Sequence, residues 1–287
     1  MKQFILENAP GNDGIVRLQG GDYRYLVRVR RLAPGEFFPA VLPCGGETLV
    51  QILSIESGIL TGKCAPPDSL TQDHPTNNDN INEKNSASIP PIILFQAMPK
   101  GDKMDLIVRQ AAEGAITEIV PFYSEFSLAK VKSTGKRSSN SKSSFNSKSS
   151  RFTRWERIIK EARQQSGSKT ATVIREPLSI EGLFDYWGEI KKKDALGLLF
   201  HHQPLEKQSL HGYLSSNPCV VALAIGPEGG FSPAEVSLFL ENGFKPLTIG
   251  NTILRTETAA LYCAAAVKVL LLERETWEMK LSNTNNG

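Results

Sequence analysis

Six consecutive apolar residues, Val220 to Ile225, run directly into Gly226-Pro227-Glu228-Gly229-Gly230, and Ser232 follows with Glu235 three residues on. An apolar run with no polar residue at alternate positions belongs to a parallel strand covered on both faces. Ser232 and Glu235 have the spacing of a capping box, which predicts a helix directly after the glycines. About twenty residues later the pattern recurs: a short strand at Pro246 to Ile249, then Gly250, then a long helix from Thr256. Two strand–turn–helix units of this kind confine the chain to an open α/β sheet. Both turns then fall at the carboxyl ends of parallel strands, where such sheets bind ligands.

The rest of the chain fits that frame. Ile92 to Gln96 is an apolar strand, and Met104, Ile107, Val108, Ala111 and Ala112 repeat at helical spacing. Ile119 to Phe122 and Ala195 to Phe200 read as further strands, and Arg151 to Gln165 as a basic helix. The final helix, Thr256 to about Glu275, is apolar on most of its circumference, as expected of a helix buried on several sides, one of them by a second subunit. This alternation over residues 91–277 predicts a mostly parallel sheet with helices on both faces. Residues 1–64 differ. Glu36 to Leu42, Leu49 to Ile55 and Ile59 to Lys63 are short strands separated by Pro34-Gly35, Gly45-Gly46 and Ser57-Gly58, with a short helix over Gly21 to Arg31. Residues 65–90 read as a disordered linker, 132–150 as a mobile Ser/Lys/Asn insertion and 278–287 as a disordered tail.

At 287 residues, 40% hydrophobic and 22% charged, the chain has the composition of a soluble protein of two domains. No stretch reaches the length of a membrane span, and Met1 to Asn8 lacks the core of a signal peptide, so the expected compartment is the cytoplasm. Cys44, Cys64, Cys219 and Cys263 stand apart, without metal-ligand spacing, and read as reduced core thiols; no metal is expected. His201 and His202 are adjacent, and on a strand they would point to opposite faces. The net charge of +3 hides a local imbalance: twelve Lys/Arg stand against two acids, Glu156 and Glu161, between Lys130 and Lys169. That favours a polyanionic partner such as RNA. Trp155 on the basic helix reads as core rather than as a base-stacking group.

The first turn is neither a dinucleotide fingerprint nor a phosphate loop. Its glycines allow a ligand to approach main chain, and Pro227 stiffens it. Taken alone, a bare glycine turn is as compatible with simple structure as with binding. The second turn adds Ile253 and Leu254 for a flat ring, Thr256 as a helix cap, and Arg255 with Glu257 as opposite charges at one corner.

Together, GPEGGFSPAE and LTIGNTILRTETA resemble the RsmE-type ribosomal RNA methyltransferases of the SPOUT superfamily. Lys100 to Asp105, Glu118 to Phe122, Arg154-Trp155, Glu161 to Ser166 and Tyr25 to Leu32 fall in the same order, so the resemblance spans nearly the whole chain outside the low-complexity stretches. It implies a C-terminal α/β domain with a trefoil knot, a PUA-like β-barrel at the N-terminus, and a homodimer. It also implies S-adenosylmethionine as cofactor and methylation of uridine N3 in small-subunit (16S) rRNA, free or within the 30S subunit. Leu199, Phe200 and Gly226, Pro227, Glu228, Gly229 and Gly230 would line the cofactor, with Ile249, Gly250, Ile253, Leu254 and Thr256 at the adenine side. Arg255 would stabilise the uracil oxyanion, and Glu228 and Glu257 would accept a proton or position a partner. Arg24, Arg28, Arg30 and Arg31 on the first module, with Arg151, Arg154, Arg157 and Arg163 on the second, would contact RNA. The chain departs from the pattern at Gly114-Ala115, Ser168, Thr252 and Tyr25. The competing expectations are a SPOUT enzyme with another RNA target, and an RNA-binding or ribosome-assembly protein that has lost catalysis.

Overall fold

The computed structural model of the chain describes residues 4–65, 89–127, 150–191, 194–203, 205 and 208–284. Most of the expected linker and nearly all of the Ser/Lys insertion lie outside the described residues. Two units are distinguished: Met1–Lys84 with Arg163–Ala171, and Asn85–Ala162 with Thr172–Gly287. The strand and helix pattern assigns Arg163–Ala171 to the second domain, whereas the structure places it in the first unit.

The first unit is a five-stranded sheet of β1 (Phe4–Ile5), β2 (Ile15–Leu18), β3 (Phe37–Val41), β4 (Glu47–Glu56) and β5 (Ile59–Ala65), ordered β1-β3-β4-β5-β2. Strands β3, β4 and β5 lie where the alternation predicts. β1 and β2 are too short to announce themselves. Val16, Leu18, Phe38, Ala40, Val50, Ile52 and Leu60 point to one side and form the core. In place of one helix over Gly21 to Arg31, a single turn, α1 (Gly20–Tyr23), passes into a π-helical turn over Arg24–Val29. Leu26 anchors that turn in the core, while Arg24, Arg28 and Arg31 are exposed and Arg30 half-exposed.

The second unit holds six strands, all parallel: β6 (Ile92–Ala97), β7 (Glu118–Phe122), β8 (Val173–Ile174), β9 (Ala195–Phe200), β10 (Val220–Ile225) and β11 (Lys245–Leu247). Their order is β11-β9-β10-β6-β7-β8. The helices are α2 (Lys103–Glu113), α3 (Ser150–Ser166), α4 (Ile180–Ile190), α5 (Leu210–Leu214), α6 (Pro233–Glu241) and α7 (Thr256–Thr284). Side chains alternate across the sheet: Leu94, Leu198 and Leu223 pack with α2, α3 and α7, while Phe95, Leu199 and Ala224 pack with α4 and α6. The expected parallel sheet with helices on both faces is therefore present. Strand β8 and helices α4 and α5 were not predicted. At the other end, α7 continues through residues 278–284, which the sequence suggests as tail; the segment carries no glycine or proline to stop a helix.

Trp155 is core, its indole N–H donating to Asp105 Oδ1 at 3.1 Å. All four cysteines are free, but only Cys263 is buried; Cys44 and Cys219 are exposed, which corrects the expectation of core thiols. The histidines lie past the end of β9, where strand alternation no longer applies. Their rings sit 4.4 Å apart, centroid to centroid, rather than on opposite faces. No helix among the described residues is long and apolar enough to cross a membrane.

Candidate functional site

Strand β10 ends at Ile225, and Gly226 to Gly230 reverse the chain into α6. The turn closes through a hydrogen bond from Gly230 N–H to Pro227 O at 3.0 Å, with Gly230 at φ +72°. A Cβ on Gly226 would lie 3.2 Å from the Gly230 main chain, and one on Gly229 would lie 2.9 Å from Phe126 Cβ. Both positions therefore require glycine for close approach. The capping box forms as the spacing predicts: Glu235 N–H donates to Ser232 Oγ at 3.3 Å, and Ser232 N–H donates to Glu235 Oε2 at 2.9 Å.

The start of α7 is tied to this turn. Thr256, 3% exposed, donates its hydroxyl to Gly226 O at 2.7 Å and accepts from Gln96 Nε2 at 3.0 Å. The ends of β6 and β10 and the head of α7 are thus joined through one hydroxyl. Strand β11 stops at Leu247, short of the expected Ile249, and the chain then loops through Gly250 at φ +71° to Leu254.

Between the two turns lies a cleft of about 290 Å³. Phe200, Gly226, Pro227, Glu228, Gly229, Gly230, Ile249, Gly250, Ile253, Leu254 and Thr256 all line it. Leu199 does not: it is fully buried among the residues facing α4 and α6, because neighbouring strand residues point to opposite faces. His201, His202, Phe231, Thr248, Ala259 and Cys263 also line the cleft and were not anticipated. Burial pushes the Cys263 thiol up to about 12, so it is an inert part of the wall.

One charged cluster braces the rim. Lys103 Nζ lies 2.7 Å from Glu228 Oε1 and 3.6 Å from Glu257 Oε2, and Lys100 N–H donates to both Glu228 oxygens at 3.2 Å. Burial pushes the Glu228 carboxyl up, but the Lys103 ammonium and the backbone N–H groups outweigh it and hold the group below its ordinary value. Lys103 itself is raised, chiefly by its hydrogen bond to Glu228. Glu257 pairs with Lys103 rather than with Arg255, and its Oε2 is buried without a hydrogen-bond donor. Arg255 is exposed, and its side chain makes no ion pair or hydrogen bond among the described residues. Lys100 and Lys103 stand in the sequence motif but gave no sign of their partners.

Of the second basic group, Arg151, Arg154 and Arg157 are exposed on α3. Arg154 pairs with Asp105, and Arg157 with Glu161 at 3.8 Å. Arg163 is 6% exposed and points its guanidinium at Lys169 O, so it does not present its charge to an RNA. The apolar side of α3 had to bury something in its last turn, and this arginine lies there.

A parallel α/β sheet with a glycine-walled cleft at its carboxyl edge defines a small-ligand-binding domain of the doubly wound kind. A family profile described as "RNA methyltransferase domain" matches residues 86–268. The chain belongs to this RNA methyltransferase family. It is 28% identical over 261 residues to ribosomal RNA small subunit methyltransferase E of Synechocystis, covering 90% of this chain and 74% of that protein. It is 30% identical over 184 residues to the protein of the same name from Aquifex aeolicus, covering 63% and 70%. The crystal structure of the Neisseria gonorrhoeae protein of that name, bound to S-adenosyl methionine, shares the fold. Its TM-score is 0.69 at 23% identity, covering 94% of this chain and 98% of that one.

Proposed function

We propose that this chain transfers a methyl group from S-adenosylmethionine to N3 of a uridine in the decoding region of small-subunit rRNA, and that it does so in the cytoplasm. The observation that carries the reading is the cleft wall. It is main chain at Gly226 and Gly229, where any side chain would collide, with apolar groups from Phe200, Ile249, Ile253 and Leu254 opposite. Such a wall fits a ligand that combines a flat ring with polar groups reading backbone. When bound, S-adenosylmethionine supplies an electrophilic methyl on a sulfonium centre.

The residues divide the remaining work. Uracil N3–H is weakly acidic, so its proton must leave and the charge developing on O2 and O4 must be stabilised. That charge is assigned to Arg255, which is exposed and unengaged and, although it does not itself line the cleft, lies in the chain between the lining residues Leu254 and Thr256. Glu257 Oε2 accepts no hydrogen bond and meets only the Lys103 ammonium at 3.6 Å, so of the two carboxylates Glu257 is assigned as proton acceptor. Glu228 is fully engaged by Lys103 and Lys100 and holds the turn in position.

The finer architecture belongs to the same proposal. The five-stranded sheet is read as a PUA-like barrel for RNA. The second unit is read as carrying a trefoil knot, on the resemblance to the RsmE-type enzymes. On α7, Leu261, Tyr262, Val269 and Leu272 are exposed beside an apolar groove of about 180 Å³ against α2. That surface supports a homodimer. Arg24, Arg28, Arg30 and Arg31, with Arg151, Arg154 and Arg157, would contact phosphates, making affinity strongly salt-dependent. Deleting the gene and analysing small-subunit rRNA nucleosides by mass spectrometry tests the reading: 3-methyluridine disappears, and its persistence would overturn the assignment.

A further inference from the structure

Phe126 is 45% exposed, although it sits in a turn fixed from several directions. Ser127 N–H donates to Ser124 O at 3.0 Å, and Ser127 Oγ donates to Met98 O at 3.0 Å. Between them, Glu125 N–H donates to Glu235 Oε1 at 2.8 Å, the same carboxylate that closes the capping box of α6. A lone exposed apolar residue is ordinary on a protein surface. This one is distinguished by its seat. Its Cβ and Cγ lie 2.9 and 3.3 Å from where a Cβ on Gly229 would be, so the ring rests directly on the main chain of the cleft wall. It does not itself line the cleft. It stacks on no other ring among the described residues.

An exposed aromatic ring carried on a hydrogen-bonded turn and packed against the main chain of the cleft wall meets the requirement of a stacking platform for a nucleobase. The base that reacts must enter the cleft, so the ring is placed for a neighbour of that base. We propose that Phe126 stacks on a base flanking the methylated nucleotide and thereby positions the RNA strand at the mouth of the cleft. The proposal rests on the reading that the chain methylates RNA. Removing a nucleotide from its stacked helix leaves its neighbours without a partner, and a protein ring replaces that lost stacking.

The test compares Phe126→Ala, Phe126→Leu and Phe126→Trp with the unaltered chain. Substrate is small-subunit rRNA from cells lacking the gene, and cofactor affinity is measured separately by calorimetry. For both Ala and Leu variants, KM for RNA rises about tenfold while kcat and cofactor Kd stay unchanged. The Trp variant restores KM, and its added fluorescence is quenched by RNA. Leucine covers Gly229 but cannot stack, so normal KM in Phe126→Leu would overturn the proposal. A loss of cofactor affinity in Phe126→Ala with RNA KM unchanged would overturn it too, by showing that the ring only supports the turn. If the unaltered chain transfers no methyl group to the RNA, the functional reading fails instead, and direct binding of the Trp variant to the RNA still decides the stacking.

Discussion

The two turns that wall the cleft are built in opposite ways. The first, Gly226 to Gly230, is held by the Thr256 hydroxyl, by the Lys103–Glu228 pair and by the α6 capping box. The second, Gly250 to Leu254, has no such brace among the described residues. Asn251, Thr252 and Ile253 are exposed, Ile253 by 83%, and a Cβ on Gly250 would meet nothing within 4 Å. A ligand between them faces one fixed wall and one that gains its contacts from what it covers. Pre-organisation lies on the first turn, and apolar surface left to bury lies on the second.

Substitutions can break or sharpen that contrast. The largest effect is expected between the turns, at Arg255→Ala: methyl transfer to rRNA falls below detection by nucleoside mass spectrometry, with cofactor binding largely intact. Retained transfer would remove Arg255 from the chemistry. Thr256→Val leaves Gly226 O without its buried donor and should cost about 2 kcal/mol of stability, seen as a lower denaturant midpoint. Gly226→Ala forces a Cβ to 3.2 Å from unyielding main chain, and calorimetry should show cofactor affinity reduced about tenfold. Gly250→Ala meets open space and bears only the left-handed backbone penalty, about 1 kcal/mol. A Gly250 variant weaker in cofactor binding than the Gly226 variant would reverse the assignment of the fixed wall.

The smallest effect is a change in pH dependence. The folded Glu228 carboxyl is depressed below its ordinary value of 4.5, so its contribution is present above that value and lost as pH falls through the folded one. The pair is partly exposed, with side chains 34% and 35% accessible, so solvent screens it. Lys103→Gln should therefore make the fall in Tm below about pH 4.5 slightly shallower than in the unaltered chain. An identical acid profile would show that Lys103 does not hold the carboxylate.

Local signals were readable in the sequence and distant ones were not. The unbroken run of β10 and the Ser232–Glu235 spacing announced strand, turn and helix, because each depends on residues within a few positions. Leu199 was misplaced for the same reason that β9 was found: a strand buried on both faces has no alternation to tell its sides apart. The Thr256 tie joins residues 160 and 30 positions apart, and the Lys103–Glu228 pair joins residues 125 apart. No period in a sequence encodes such meetings. Arg163 shows the converse, since charge composition marks a basic helix but not which of its arginines the fold turns inward.

The Thr256 hydroxyl also sets a schedule. Strands β6, β9 and β10 and the glycine turn all leave the ribosome before α7, yet α7 supplies Thr256, Ala259 and Cys263 to the cleft and the donor that fixes Gly226. A nascent chain halted between residues 247 and 256 has every strand of the sheet but lacks the Thr256, Ala259 and Cys263 part of the cleft lining. The cleft is therefore complete only once the head of α7 has been made and has docked on Gly226.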